Sequence, residues 1–399
     1  MRWARAASAV LLVLTLSACA GKQPEKIAKV VGYFANWGVY ARDYQVKDVE
    51  TSGAADRLTD LVYAFGKTDQ GKCRPGDAYA DYQRPISAAE SVDGAADDPG
   101  QPVKGNINQL RKLKQKHPRL KILWSFGGWN DSAGFSTAAA DPRAFAESCA
   151  AVLDDPRWAG VFDGLDLDWE YPNFCGLTCD KSGRGAFAEV VAASRAKLGP
   201  SRLITAAIST DADPGGALDA TDYAAAATHL DWVNAMTYDY FGTGGGPGPT
   251  APHSPLTTYP GIPDADHTIE AGVGKLIRLG VPPAKILLGI GLYGRGRRGV
   301  TGPAPGGDSS GRADGTYEKG VEDYKVLKKS CPPVGTVGGQ AYGFCRGQWW
   351  SYDTPATIAG KLAWSARQGL GGAFVWELSG DTGDGELLSA ISACLYKEP

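Results

Sequence analysis

Three carboxylates stand at alternate positions in the stretch Val161-Phe162-Asp163-Gly164-Leu165-Asp166-Leu167-Asp168-Trp169-Glu170-Tyr171-Pro172. An extended chain turns successive side chains to opposite faces, so Asp166, Asp168 and Glu170 share one face while Leu165, Leu167 and Trp169 share the other. At ~3.3 Å of rise per residue the acids follow one another at roughly 6.6 Å. Asp is disfavoured in strands, and three like charges on one face repel. A chain keeps such an arrangement where it serves chemistry. Neighbouring carboxylates cannot all ionise freely, so at least one holds its proton to higher pH. A carboxylic acid still protonated near neutrality is what a departing group requires. In parallel α/β architectures ligands bind beyond the carboxyl ends of the strands. Glu170, nearest that end, is the expected proton donor. Asp168, one pleat below, would stabilise a developing positive charge, and Asp166 would hold or share the proton.

The elements that must position these acids follow from the apolar pattern. Strand-like runs at 29–35, 60–65, 121–126, the acid stretch, 203–208, 232–238, 286–292 and 372–376 alternate with helical ones. Asn106 is expected to cap a helix carrying Ile107, Leu110 and Leu113 that ends near Pro118. Asp141 with Pro142 starts another. Ile269, Val273, Leu276 and Ile277 mark a helix stopped at Gly280. Thr354-Pro355 opens a helix bearing Ile358 and Leu362 and ended by Gly369, and a last one runs from about Gly385 to Leu395. Eight parallel strands alternating with helices predict an α/β fold, the (β/α)8 TIM barrel. Between strand seven and the helix at Pro355 lie roughly 60 residues, far beyond the usual connection. The expected organisation is an export signal at 1–20, a short tether at 21–28, a catalytic barrel at 29–293 and 352–399, and a small inserted α+β subdomain at 294–351 with a short helix around 323–329.

The spacing Asp163-x-x-Asp166-x-Asp168-x-Glu170 resembles the signature of the family 18 glycoside hydrolases, the chitinases and their relatives, and the likeness extends across nearly all of the chain beyond the leader. The resemblance implies hydrolysis of β-1,4 bonds between N-acetylglucosamine units of chitin and chito-oligosaccharides, with retention and substrate assistance, an exception to the two-carboxylate scheme. Glu170 would act as acid and then as base, and Asp168 with Tyr238 would steady an oxazolinium. Met236-Thr237-Tyr238-Asp239 resembles the family's M-x-Y-D segment, which implies that the Tyr238 hydroxyl holds the acetamido group and that Asp239 binds sugar hydroxyls. Trp376, ending the last strand, would form the floor under the sugar being cleaved. Ser125 with Gly127-Gly128 resembles the family's S-x-G-G, small residues that let the substrate approach. Tyr33, Gly128, Trp129, Tyr171, Met236, Tyr293 and Arg295 are further expected cleft residues, and Glu318 would face the cleft from above. Bacterial chitinases with an α+β insertion between strand seven and helix seven look similar. No metal and no organic cofactor is implied.

Two departures stand out. Thr243 leads into Gly244-Gly245-Gly246, and Arg297-Arg298 follows Gly296, where such family members carry aromatics. Weak stacking on the leaving side, and weak binding of long or crystalline chitin, are the implied consequences. An endo-β-N-acetylglucosaminidase acting on N-glycans is the alternative among enzymes; the insertion argues against it, because it would deepen the cleft for a linear chain. A non-catalytic chitin-binding lectin on the same barrel would be marked by loss of the acid, and Glu170 is present.

Composition bounds these readings. The 399 residues are 43% hydrophobic, enough for a sizeable core, and with a net charge of −3 nothing suggests a polyanionic partner such as nucleic acid, whose binders usually display a basic stripe. A neutral substrate fits better, and the 11 Trp and 17 Tyr include faces that stack well on sugar rings. Residues 1–20 carry Arg2 and Arg5, then an apolar run too short to span a bilayer, then small residues. Ala18-Cys19-Ala20 fits ordinary cleavage, whereas Leu16-Ser17-Ala18-Cys19 resembles a bacterial lipoprotein box, with Cys19 the lipidated N-terminus. The expectation is a monomer, secreted or anchored to the outer face of the membrane through a lipid on Cys19. With Cys19 set apart, Cys73, Cys149, Cys175, Cys179, Cys331, Cys345 and Cys394 remain, and export implies disulfides. Cys175–Cys179 and Cys331–Cys345 are expected local bridges. Cys149 shares a helical face with Phe145 and Val152 and is expected to be buried. One thiol would be left unpaired or pair between chains. C-x3-C with four His lacks zinc-site spacing.

Overall fold

Residues 28–395 are described by the structure, a computed structural model; the leader and lipidation at Cys19 lie outside them. Eight strands close into a parallel barrel: β1 Lys29–Ala35, β2 Asp60–Gly66, β3 Lys121–Gly127, β4 Gly164–Asp168, β5 Leu203–Ile208, β6 Trp232–Ala235, β7 Ile286–Gly291 and β8 Gly372–Trp376. β8 returns to β1 in the register Val30↔Ala373 and Val31↔Phe374, which closes the ring. The (β/α)8 expectation is met. Strand alternation divides the core in two. Val31, Tyr33, Val62, Ala64, Leu123, Trp232, Leu287 and Phe374 fill the barrel interior. Their neighbours Val30, Phe34, Leu61, Tyr63 and Ile122 point outward against helical Ile107, Leu110, Phe145 and Val190.

Local differences from expectation have local causes. The helix Gly105–Lys116 begins before Asn106, which is therefore not its cap. Gly105 takes φ +61, and a Cβ there would come 2.5 Å from the Ala80 carbonyl, so the turn into this helix requires glycine. Asn106 is buried and donates its amide to Asn36 O at 3.3 Å and Tyr63 Oη at 3.2 Å. β6 stops at Ala235, short of the expected 238, because the Thr237 hydroxyl replaces the ladder. It accepts from Gly289 N at 2.9 Å and donates to Gly289 O at 2.8 Å.

Between β7 and the helix Pro355–Gln368, Tyr293–Arg298 pairs antiparallel with Gln348–Tyr352, Val321–Asp323 and Gly311–Arg312; Gln340–Cys345 and Pro333–Val337 extend the sheet. A helix at Tyr324–Ser330 leans on it. Cys331–Cys345 and Cys175–Cys179 are bridged locally, and Cys149 is buried in a bridge to Cys73. Cys394 is also disulfide-bonded, and among the described residues no cysteine is free, so the expectation of one leftover thiol is corrected. Among the described residues no helix is long and apolar enough to cross a membrane.

The return from this sheet to the barrel is held by a buried ion pair. Lys361 Nζ lies 2.6 Å from Asp353 Oδ2 and donates to Ser254 Oγ at 2.8 Å, both charged side chains being fully buried. Removing one partner leaves the other charged and unpaired in a medium that solvates it poorly. Lys361→Met is expected to lose about 3–5 kcal/mol in denaturant unfolding. The double variant Lys361→Met, Asp353→Leu should recover much of that loss, and a single variant as stable as wild type would refute the argument.

Candidate active site

β4 carries Asp166 and Asp168 on its inner face, while Leu165 and Leu167 pack outward. The strand ends at Asp168, so Glu170 is not a strand residue as expected but sits just beyond, at the mouth. The reason lies in the neighbouring loop: Glu170 N donates to Ser132 Oγ at 2.9 Å instead of to a strand. Ser132 Oγ in turn lies 2.8 Å from Gly128 O and 3.1 Å from Asp168 O, and Gly128 N donates to Asp168 O at 2.8 Å. This approach needs the glycines that end β3. Gly127 takes φ +107, and a Cβ there would stand 2.3 Å from Asp168 O; one on Gly128 would enter the Phe65 ring at 2.6 Å.

The three acids meet different surroundings. Asp166 is fully buried and accepts from Tyr33 Oη at 3.0 Å, Ser125 Oγ at 2.7 Å and Thr205 Oγ1 at 2.5 Å, with Asn234 Nδ2 at 3.5 Å. Burial raises its pKa and those hydrogen bonds oppose the rise. Asp168 is 5% exposed, and its Oδ1 is buried with no hydrogen-bond partner. Burial, then the neighbouring Glu170 and Asp166, push its pKa well above the ordinary value. Glu170 is pushed up to about 7 by burial, against the Tyr171 hydroxyl and with the help of Asp239. Asp163, the first acid of the spacing, lies apart from them. It accepts from Lys114 Nζ at 2.5 Å and Ile122 N at 2.9 Å and ties the entry of β4 to β3.

The segment after β6 faces these acids. Tyr238 is half-buried, edge-on to Tyr293 at 6.1 Å and Phe374 at 6.0 Å, and its phenol is raised by burial, by Tyr293 and by Asp168. Met236 packs on the barrel interior. Asp239, at φ 64, accepts from Tyr293 Oη at 2.7 Å, from Arg295 Nε at 2.7 Å and from Arg295 Nη2. Burial would raise its pKa, but Arg295 and then His253 overcome this and hold it far below the carboxylate range. Trp376 stacks on Phe65 at 5.6 Å and 22°, with Tyr33 and Trp37 at 5.5 and 6.3 Å. Trp37 is 42% and Trp129 49% exposed, large flat faces left open beside the acids. Tyr171 is half-buried next to Glu170, whereas Glu318 is exposed, close enough to Arg295 to add to its raised pKa.

The structure adds residues that the pattern reading passed over. Asn234 donates to Tyr33 Oη at 2.9 Å and accepts from Trp232 Nε1 at 3.1 Å; its place on the face of Tyr238 was the available signal. Thr205, Ser132 and the fully buried His253, whose Nδ1 lies 3.5 Å from Asp239 Oδ1, carry no local signal at all. Taken together, a half-buried acid that keeps its proton to about pH 7 stands beside an unsatisfied carboxylate oxygen, opposite a phenol and above aromatic faces. Such a set can protonate a departing oxygen, steady a cation and stack a flat ring.

Residues 29–381 match the family described as glycosyl hydrolases family 18. The chain is 55% identical to Chitinase C of Streptomyces lividans over 382 residues, 95% of this chain and 62% of that protein. It is 56% identical to Chitinase 63 of Streptomyces plicatus over 366 residues, 92% of this chain and 60% of that protein. The chain thus spans about three fifths of the length of these curated relatives. Among solved structures, the catalytic domain of psychrophilic chitinase B from Arthrobacter TAD20 superposes with a TM-score of 0.85 at 32% identity, covering 96% of this chain and 97% of that one. The Group IV chitinase of Ostrinia furnacalis in complex with allosamidin gives a TM-score of 0.77 at 25% identity, covering 92% and 98%.

Proposed function

The chain belongs to glycosyl hydrolases family 18, and from that premise we propose that it is a chitinase, cleaving β-1,4 bonds between N-acetylglucosamine units by a retaining, substrate-assisted route. The observation that carries this reading is the unpartnered, buried Oδ1 of Asp168 beside a Glu170 that keeps its proton to about pH 7. A carboxylate oxygen buried without a donor is costly in the free protein. It becomes favourable when a cation or an N–H forms against it.

Glu170 gives its proton to the glycosidic oxygen. The acetamido oxygen of the substrate, steered by the Tyr238 hydroxyl, attacks the anomeric carbon, so the C–O bond to the leaving sugar breaks as the ring of an oxazolinium closes. Asp168 faces the charged nitrogen side of that ring. Glu170, now ionised, takes a proton from water, whose oxygen opens the oxazolinium and regenerates the acid. Among the described residues, none of the other three carboxylates at this mouth is placed to act as nucleophile instead. Asp239 is bound up by Arg295 and Tyr293, Asp166 by four side chains from other strands, and Asp168 lies two residues from Glu170 on the same side of the mouth. The paired carboxyls of ordinary retaining enzymes stand about 5–5.5 Å apart across the anomeric carbon.

Proton NMR of freshly cleaved chito-oligosaccharide is the test. The first product should be the β-anomer, and fully deacetylated oligomers should stay intact. Initial α-anomer, or brisk cleavage of a glucan without acetamido groups, would refute substrate assistance even in a working chitinase.

A further inference from the structure

Beyond Asp239 the cleft wall is built in an unusual way. On the strand Tyr293–Arg298, the alternate residues Tyr293, Arg295 and Arg297 turn towards the segment 239–248. The first two grip Asp239. Arg297 is 4% exposed and, among the described residues, pairs with no carboxylate. Its Nη1 donates to Gly244 O at 2.7 Å, its Nη2 donates to Gly246 O, and its Nε donates to Ser309 Oγ at 2.8 Å. The Ser309 hydroxyl passes the contact on to Gly248 O at 2.6 Å, where Gly248–Pro249 pairs with Asp308–Ser309. Arg312 donates to Thr243 O from the same side. A guanidinium buried without a counter-charge is costly, and here burial and then the neighbouring Arg312 act against its charge. That cost is spent on two backbone carbonyls of one glycine-rich loop, Gly244 O and Gly246 O, and on a third, Gly248 O, through Ser309.

The opposite side of this loop is open. A Cβ placed on Gly244, Gly245 or Gly246 would meet nothing within 4 Å, whereas one on Gly242 would strike Arg295 Cβ at 2.9 Å. The loop follows the carboxyl end of β6 and therefore lies at the barrel mouth.

Resting on the chitinase reading, we propose that Arg297 is a positioning residue for chain-length specificity. It holds the loop 242–248 as a rigid backbone wall, so that sugars extending past Asp239 meet peptide groups there instead of an aromatic face. Long substrates depend on that wall, and short ones that occupy only the floor over Trp376 depend on it less.

The test compares kcat/KM for chitohexaose with kcat/KM for an aryl glycoside of the N-acetylglucosamine disaccharide. In Arg297→Met the hexamer-to-aryl ratio should fall about tenfold, through KM of the hexamer, because the hydrogen bonds to the wall are gone. Arg297→Lys, which keeps the charge but not the fork, should fall between. Gly245→Tyr places an aromatic on the open side and should raise the ratio; it keeps the idea testable if Arg297→Met fails to fold. A ratio unchanged in Gly245→Tyr and in whichever Arg297 variant folds would overturn the proposal. So would an equal fall on both substrates together with a lowered melting temperature, the sign of a merely structural role. Wild-type protein that cleaves neither substrate would instead overturn the chitinase reading, and this inference with it.

Discussion

Glu170→Gln should bind chito-oligosaccharides with near wild-type affinity and lose about 10³- to 10⁴-fold in kcat, the upper range for a positioned acid and base. The amide keeps the shape of the side chain and its contact with Tyr171 while removing the transferable proton. The pH profile sharpens the expectation. Wild-type kcat/KM requires protonated Glu170 and should fall as pH rises through about 7; residual turnover of the variant should lack that limb. Stability should move the other way. A carboxyl whose folded pKa is raised contributes its full stability below its unfolded pKa and loses it as pH rises through the folded one. The variant should therefore gain melting temperature over wild type at pH 8 and not at pH 4. Comparable kcat in variant and wild type would remove Glu170 from the role of acid.

Asp168→Asn should cost about 10²- to 10³-fold in kcat, the scale on which a preorganised electrostatic stabiliser acts. The loss should fall on kcat more than on KM, because the carboxylate matters most once positive charge has formed. Two further readouts separate this from disruption of the fold. Glu170 owes its raised pKa to burial and to Asp239, so the alkaline limb of the pH profile should stay near 7 in the variant. Neutralising Asp168 also relieves a buried oxygen that has no donor, so the variant should melt no lower than wild type near neutrality. An Asp168→Asn enzyme with full turnover, or one whose activity falls only as its stability falls, would defeat the assignment.

Both variants exchange activity against stability because the free enzyme keeps a buried carboxyl and a half-buried one close together. Asp166 is different. Its oxygens are satisfied by Tyr33, Ser125, Thr205 and Asn234, and it sits below the pair as a fixed polar support.

Much of this was legible in the chain before folding. Apolar runs at 29–35 and 203–208 matched β1 and β5 to the residue, because strands of a parallel barrel turn their side chains with period two and are buried on both faces. Thr354-Pro355 and Gly369 bounded their helix for an equally local reason, cap geometry. The same periodicity put Asp166 and Asp168 on one face of β4. It overran at Glu170 and at Tyr238, where side chains from elsewhere, Ser132 and Thr237 with Gly289, take over the hydrogen bonds that a strand would use.

Sequence by itself determined the inventory: three acids in step, a tyrosine and an aspartate after the sixth strand, a tryptophan after the eighth, and the repeating units that gather strand ends at one mouth. Only the tertiary structure decided their states. Asp166 is satisfied and Asp168 orphaned because of residues on β1, β3, β5 and β6, far apart in the chain. Asp239 is held far below the carboxylate range by Arg295 and then His253, and Cys149 found Cys73 across 76 residues. Strand and helix periodicity are written in neighbours along the chain. Desolvation and hydrogen-bond satisfaction, which set where a proton resides, are fixed by neighbours in space.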